Sequence, residues 1–338
     1  MNDRNRKINP FIQSQRKKKS KLESRRFVLK RDLNDVMQLY ERLFNKKTTQ
    51  ELWEWKYLPP WTNKPFSWIG LDSKRIIGHI GIVPLRGQIK GAEVTFFLIG
   101  DIMADPDYRM LKIYRQLNPT KYFEEIRKEH PQAVMYGFTG RHLGRWYRWF
   151  LSLDINSYVE RADDRIIRLP NDRLAGKDAS QFDVCEWLWD APELDIIWRQ
   201  LKDTILVGLV RDRAYLDWRY AKHPTLRYRL FGVYQWGKPV GWLVTGKQNI
   251  LEEWRKEVRI HDLLLPPEIR LPVLRYAASA LQANSLVFWL PSNCLPSDFE
   301  SHDTSWIVTH WSFSPDISKD FLSSNVYYTL GEADEWWK

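Results

Sequence analysis

From residue 27 to about 167 the spacing of apolar positions changes several times. Behind Asp32, the residues Leu33, Val36, Met37, Tyr40, Leu43 and Phe44 recur at steps of three and four, which predicts a helix capped by Asp32. Thr48-x-x-Glu51 has the form of a capping box and opens a second helix through Trp53–Tyr57. Three apolar runs follow, at about 65–71, 75–86 and 92–104. A charged turn at Lys74-Arg75 joins the first two and Gly87–Gly91 joins the last two, which predicts an antiparallel meander. The third run ends in Asp105-Pro106-Asp107, and a helix is expected to open at about Arg109 and to break at Pro119. Ala133–Phe138 reads as a buried strand and Arg141–Leu151 as a helix.

The same order returns in shorter form, with strands near 228–234, 239–246, 256–265 and 285–290 and a helix near 268–283. Particular residues return in register. Trp55-Lys56-Tyr57 reappears as Trp218-Arg219-Tyr220, and the two tryptophans are 163 positions apart. Gly78 and Gly241 are also 163 apart, and Asp101 and Asp262 are 161 apart, each aspartate before an apolar-proline turn. Three matches in one register argue for a duplicated unit. The polar stretch 168–183 reads as a linker, so the expected division is a tail over 1–26, a first domain over 27–167 and a second over 184–338.

Composition refines this picture. A chain of 338 residues with 18 Trp and 43% hydrophobic residues can bury a sizeable core in two domains. No apolar run approaches the roughly 20 residues that span a bilayer, and the first residues carry no apolar segment of a secretory signal. Two cysteines, Cys185 and Cys294, make neither a disulfide framework nor a metal finger, which points to a reducing, cytoplasmic compartment. The net charge is +10, and residues 1–26 hold ten basic side chains against two acidic ones, so nearly all of the excess belongs to the tail. Such a tail is either a solubilising extension or an arm for nucleic acid or an anionic surface.

The segment Asp101–Tyr114 carries the sharpest motif. A strand running through Asp-Pro-Asp-Tyr (105–108) into a helix that begins with Arg109 resembles the acyl-CoA-binding motif of the GNAT (GCN5-related N-acetyltransferase) superfamily, Arg/Gln-x-x-Gly-x-Gly/Ala. Arg109 matches, while Lys112 and Tyr114 stand at the small-residue positions. The resemblance covers most of 27–167 and recurs more weakly over about 210–315. It implies an α/β (α+β) fold of two tandem GNAT-like domains, each a mixed, mainly antiparallel twisted sheet flanked by helices. It also implies acetyl-CoA or another acyl-CoA as co-substrate, held along Ile102, Met103, Ala104, Arg109, Met110, Leu111, Lys112, Ile113 and Tyr114. In the family the thioester arm lies where the strand before the motif splays from the strand after its helix, here Leu98–Ala104 and Ala133–Phe138.

Acyl transfer to an amine requires one group to take the amine's proton and another to protonate the departing thiolate. Tyr147, in Trp146-Tyr147-Arg148-Trp149-Phe150, is similar in position to the family's tyrosine acid, and the competing reading is a packed aromatic residue. Asp101 is a candidate base whose pKa burial would raise, although the matching Asp262 favours a structural role. His79, His142 and His261 do not share metal-ligand spacing, and Trp61, Trp68 and Trp146 are candidates for a ring-binding groove. Three functions stay open: an acyltransferase acting on an amine acceptor (amino sugar, amino-acid derivative, protein or peptide), a catalytically silent GNAT-like binding or scaffold protein, and a Fem-type aminoacyl-tRNA-dependent transferase.

Overall fold

The computed structural model describes residues 22–109, 119–140, 158–168, 181–246, 257–297 and 299–333. Within them, fifteen strands form two mixed, mainly antiparallel sheets flanked by helices. The strands are β1 (Leu22–Arg26), β2 (Trp68–Asp72), β3 (Arg75–Ile89), β4 (Ala92–Ala104), β5 (Val134–Gly140), β6 (Tyr158–Arg161), β7 (Asp164–Arg168), β8 (Phe182–Trp187), β9 (Val207–Leu209), β10 (Tyr228–Gln235), β11 (Lys238–Gly246), β12 (Glu257–Leu264), β13 (Ser285–Phe288), β14 (Ser301–His302) and β15 (Trp306–Ser312). The first sheet runs β1-β2-β3-β4-β5-β15-β6, with β9 added to the far end of β3, and the second runs β14-β7-β13-β12-β11-β10-β8.

Several local expectations shift for identifiable reasons. Leu22–Arg26, read from the sequence as the end of the tail, is an edge strand because its arginines find carboxylates: Arg25 pairs with Asp32 at 2.6 Å and Arg26 bonds Glu129 at 2.5 Å. The first helix is Leu29–Phe44, begun by Val28 rather than by Asp32. Asp32 still serves that end, accepting the Val28 N–H at 2.7 Å from inside the first turn. The second helix, Gln50–Tyr57, is capped by Thr49, whose hydroxyl accepts from the Leu52 N–H, while Thr48 accepts from the Trp53 indole at 3.0 Å. β3 continues through Gly87 to Ile89, so the β3–β4 connection is the two-residue Lys90-Gly91 turn, with φ of 51° and 80°. Two positive φ values make the primed turn that matches strand twist.

Alternation along the central strands sorts side chains between two cores. Phe96, Leu98, Val134, Tyr136 and Phe138 face a large core shared with the second sheet. Phe97, Ile99 and Met135 face a smaller one beneath the helix Pro119–Glu129. Both faces of β3, β4 and β5 are covered, which explains why they read as nearly unbroken apolar runs. The sheets also exchange chain segments. β15 lies between β5 and β6 in the first sheet, and β7 lies between β13 and β14 in the second. The end of β9 is fixed by the β3 hairpin, Gly87 pairing with Leu209.

The repeated tripeptides meet each other. The Trp55 indole donates to the Trp218 carbonyl at 2.8 Å, and the Trp218 indole donates to the Trp55 carbonyl at 2.9 Å. Their rings stack at 5.4 Å. Tyr57 donates to Asp101 and Tyr220 donates to Asp262, so the same phenol–carboxylate pair stands in each half. Gly81 admits the first phenol, since a Cβ there would lie 2.2 Å from the Tyr57 hydroxyl.

Candidate active site

β4 and β5 run parallel and are paired from Phe96↔Val134 to Ile99↔Gly137, where the ladder ends. β4 nevertheless continues to Ala104 and β5 to Gly140, each held on its outer side by β3 and β15. The two strands therefore part at Gly100 and Phe138 and leave a cleft between their carboxyl-terminal ends. A bulge in β4 sets the angle: His79 faces Met103 while Gly81 faces Gly100, so β4 carries one residue more than β3 over this interval.

Asp101 occupies the bulge with φ of 43°, a left-handed backbone that a non-glycine residue holds only when its surroundings fix it. Three contacts supply that restraint. Its carboxylate accepts from the Lys56 ammonium at 2.8 Å and from the Tyr57 hydroxyl at 2.5 Å. Its carbonyl oxygen lies 2.9 Å from Nδ1 of His79. Since a carbonyl only accepts, Nδ1 carries the proton. Burial lowers the His79 pKa to about 4, so the ring is neutral. The Asp101 pKa moves opposite to the sequence expectation. Burial alone would raise it, but the charge and hydrogen bond of Lys56, joined by the Tyr57 bond, outweigh burial and lower it. Asp101 is therefore an ionised carboxylate occupied by two donors.

Past the bulge, Met103 and Ala104 are buried and Ile102 is half-buried. The turn that follows is anchored at Asp105, which accepts from Arg42 at 2.7 Å and Arg75 at 2.6 Å and from the Asp107 N–H at 3.1 Å. The helix opens at Pro106, three residues before the expected Arg109, because Asp105 caps it and a proline suits a first helical position. Arg109 closes the described part of this helix. Met110, Leu111, Lys112, Ile113 and Tyr114 lie outside the described residues, as do Tyr147, His142 and Trp146.

A second cleft repeats the first. β12 and β13 are parallel and paired from Glu257↔Ser285 to Ile260↔Phe288. β12 bulges at His261, where Val244 faces Asp262 and Thr245 faces Ile260. His261 and Trp289, the first residues past the paired stretch, line a cavity of ≈ 540 Å³. Burial, then the charges of Arg219 and Arg259, lower the His261 pKa to about 3, so it faces this cavity as a neutral ring. The clefts are joined by an aromatic contact, Phe138 of β5 lying 5.8 Å from Trp289.

Beneath the second cleft, Asp262 is fully buried and accepts from Tyr220 at 2.8 Å, Arg211 at 3.1 Å and Thr329 at 3.1 Å. Arg211 also binds Glu332, whose pKa burial raises to about 7 despite the guanidinium. Arg211, Thr329 and Glu332 carry no sequence signal. Lys56 and Tyr57, seen in the sequence as halves of a repeat, prove to be the partners of Asp101. Trp68 is buried and stacked on Tyr122 at 3.7 Å, whereas Trp61 lines a groove of ≈ 770 Å³ with Phe66 and Arg86. No cluster of metal-ligating side chains occurs among the described residues.

A splayed parallel strand pair with a bulge, entering a helix through an Asp-Pro turn, defines the acetyltransferase class of α/β fold. Residues 25–148 match the family model described as "Acetyltransferase (GNAT) domain". The chain carries a domain of the GNAT superfamily. Among solved structures, a GCN5-related N-acetyltransferase from Anabaena variabilis is similar, with a TM-score of 0.58 and 14% identity over 85% of this chain and 72% of that one. So is a conserved protein of unknown function from Enterococcus faecalis, a probable N-acyltransferase, with a TM-score of 0.59 and 12% identity over 85% and 72%. N-myristoyltransferase from Saccharomyces cerevisiae, with bound myristoyl-CoA and inhibitors, aligns with a TM-score of 0.54 and 10% identity over 90% of this chain and 86% of its own. At these identities the likeness establishes the fold. No curated protein matches the sequence.

Proposed function

We propose that this protein transfers an acyl group from acyl-CoA to an amine. The observation that carries the reading is the parting of β4 and β5 after Ile99↔Gly137, opened by the bulge at Asp101. That gap suits an extended thioester arm, bordered by Ile102, Met103 and Ala104 on one strand and Phe138 on the other. Arg109 and the positions 110–114 would meet the diphosphate at a helix start, where N–H groups and the helix dipole favour anions. Acyl-CoA supplies an activated carbonyl. The amine nitrogen forms a bond to that carbon, the carbon–sulfur bond breaks, and the thiolate leaves. The proton lost by the amine balances the proton gained by sulfur, and Tyr147 is the proposed donor to the thiolate. For Asp101 we propose positioning rather than proton abstraction, because its lone pairs already serve Lys56 and Tyr57. Asp262, with its own tyrosine, would hold the second bulge in the same way.

Two tandem GNAT-like units, divided at 168–183, account for the paired Trp, Tyr and Asp residues, with strand exchange between the units. Only the first cleft has the charged motif, so it is the proposed acyl-CoA site. Incubation of the whole chain with acetyl-, octanoyl- and myristoyl-CoA and a panel of amines, scored by free thiol release, tests the reading. Amine-dependent thiol release is expected with at least one acyl chain. Release that is absent throughout, or independent of amine, would contradict it.

A further inference from the structure

The second cleft has kept its cavity while losing any place for a diphosphate. After β12 the chain runs Leu265-Pro266-Pro267, and two prolines remove N–H groups where a cradle would present them. Arg270, at the start of the following helix, turns inward and donates to the carbonyls of Cys294 and Leu265. The cavity must therefore suit something other than a second CoA.

Its wall has two ends of opposite sign. At one end is Arg219, 2% exposed, whose Nε donates to the Gly331 carbonyl and whose guanidinium lies over the rings of Trp55 and Tyr220. A guanidinium held by a carbonyl and aromatic faces keeps its charge and its fork geometry for a carboxylate. At the other end stands Asp303, on the segment that leads into β15. The first residue of β15, Trp306, is paired with Gly140, the last residue of β5, so this acidic end abuts the first cleft. Trp306 and Trp289 supply apolar faces between the charges, and Asp164 is already engaged by the Trp289 indole at 2.7 Å and by Arg259 at 3.2 Å. The neutral state of His261 fits a positive potential at the Arg219 end.

We infer that this cavity binds the acyl acceptor, and that the acceptor is an amino acid or amino-acid derivative with an aromatic side chain. Its carboxylate meets Arg219, its amine lies toward Asp303 and the first cleft, and its ring packs against Trp289 and Trp306. The inference rests on the acyl-transfer reading for the direction of the amine, but the binding itself is testable without acyl-CoA.

The test is calorimetric titration of the whole chain with four probes: L-phenylalanine, phenethylamine (no carboxylate), 3-phenylpropionate (no amine) and glucosamine. L-phenylalanine is expected to bind at least about tenfold more tightly than each of the others, the loss expected for one charge-assisted hydrogen bond. Arg219→Lys and Asp303→Asn should each weaken L-phenylalanine about tenfold with an unchanged circular dichroism spectrum. Asp303, at 42% exposed, is the variant that folding tolerates best. Equal binding of phenethylamine, preference for glucosamine, or absence of binding by all four probes would overturn the assignment. Desulfo-CoA titrated in parallel separates the two readings. Its binding without that of L-phenylalanine overturns this inference alone, whereas L-phenylalanine binding without desulfo-CoA supports the pocket and counts against acyl transfer.

Discussion

Lys56 and Asp101 form an ion pair with side chains 1% and 5% exposed, and its stability depends on both members. Removing one strands the other charge away from water, at a cost of about 3–5 kcal/mol. Asp101→Asn is therefore expected to lower unfolding free energy by an amount in that range, and Lys56→Met combined with Asp101→Leu to lower it less, both read by urea denaturation. A result in which Asp101→Asn leaves stability intact but abolishes thiol release would return Asp101 to the role of base. The buried imidazoles make a further prediction. His79 and His310 are each 1% exposed, and burial lowers their pKa values to about 4 and about 3. The unfolded chain, with histidine pKa near 6.5, binds more protons than the folded one as pH falls through 6.5 toward 4, so stability must fall in that window. At pH 5 the loss is about 2 kcal/mol for each ring relative to neutral pH. Denaturation curves at pH 7.5 and pH 5 should show it, and coincident curves would mean that the rings are not buried neutral. The sequence disclosed the positions of Asp101 and Asp262 through their repeat. It hid the direction of the Asp101 shift, because that depends on Lys56, 45 positions away, lying 2.8 Å from the carboxylate.

Elements are legible in this chain where a local signal specifies them. The hairpin strands declare themselves by apolar runs and turn residues, and Ala92–Ala104 falls where the pattern puts it. Helix starts are displaced by one to three residues because the capping side chain was misassigned, as with Asp105 for Arg109. The strand Trp306–Ser312 has no such marker of its place. Its partner, Val134–Gly140, lies about 170 positions earlier, and nothing in Trp-Ile-Val-Thr-His-Trp-Ser says which sheet it joins. The Trp55–Trp218 exchange is the element contact that ties the repeat together, and a double-mutant cycle with Trp55→Phe and Trp218→Phe should give a coupling of about 1 kcal/mol. Additive losses would mean that the two bonds act independently. Gly81→Ala should destabilise by about 1–3 kcal/mol through overpacking against Tyr57 and the Gly100 carbonyl, and Tyr57→Phe in the same chain should recover part of the loss.

For the whole molecule, two sheets with two clefts give a division of labour: the motif-bearing first cleft faces acyl-CoA, and the second, closed to diphosphate by Pro266 and Pro267, faces the acceptor. The order of strands and the Asp-Pro turn made the fold readable in advance. The acceptor cavity was not readable, since Arg219, His261, Trp289 and Asp303 come from four separate segments and converge only once β15 crosses into the first sheet. The central claim, that the first cleft is an acyl-CoA site, is tested most directly by calorimetric titration of the whole chain with desulfo-CoA, repeated after Arg109→Ala and Lys112→Ala. The account predicts micromolar binding that falls at least about tenfold in the variants, as the loss of charge-assisted contacts to phosphate requires. Absence of heat and of thermal stabilisation at millimolar desulfo-CoA would contradict it.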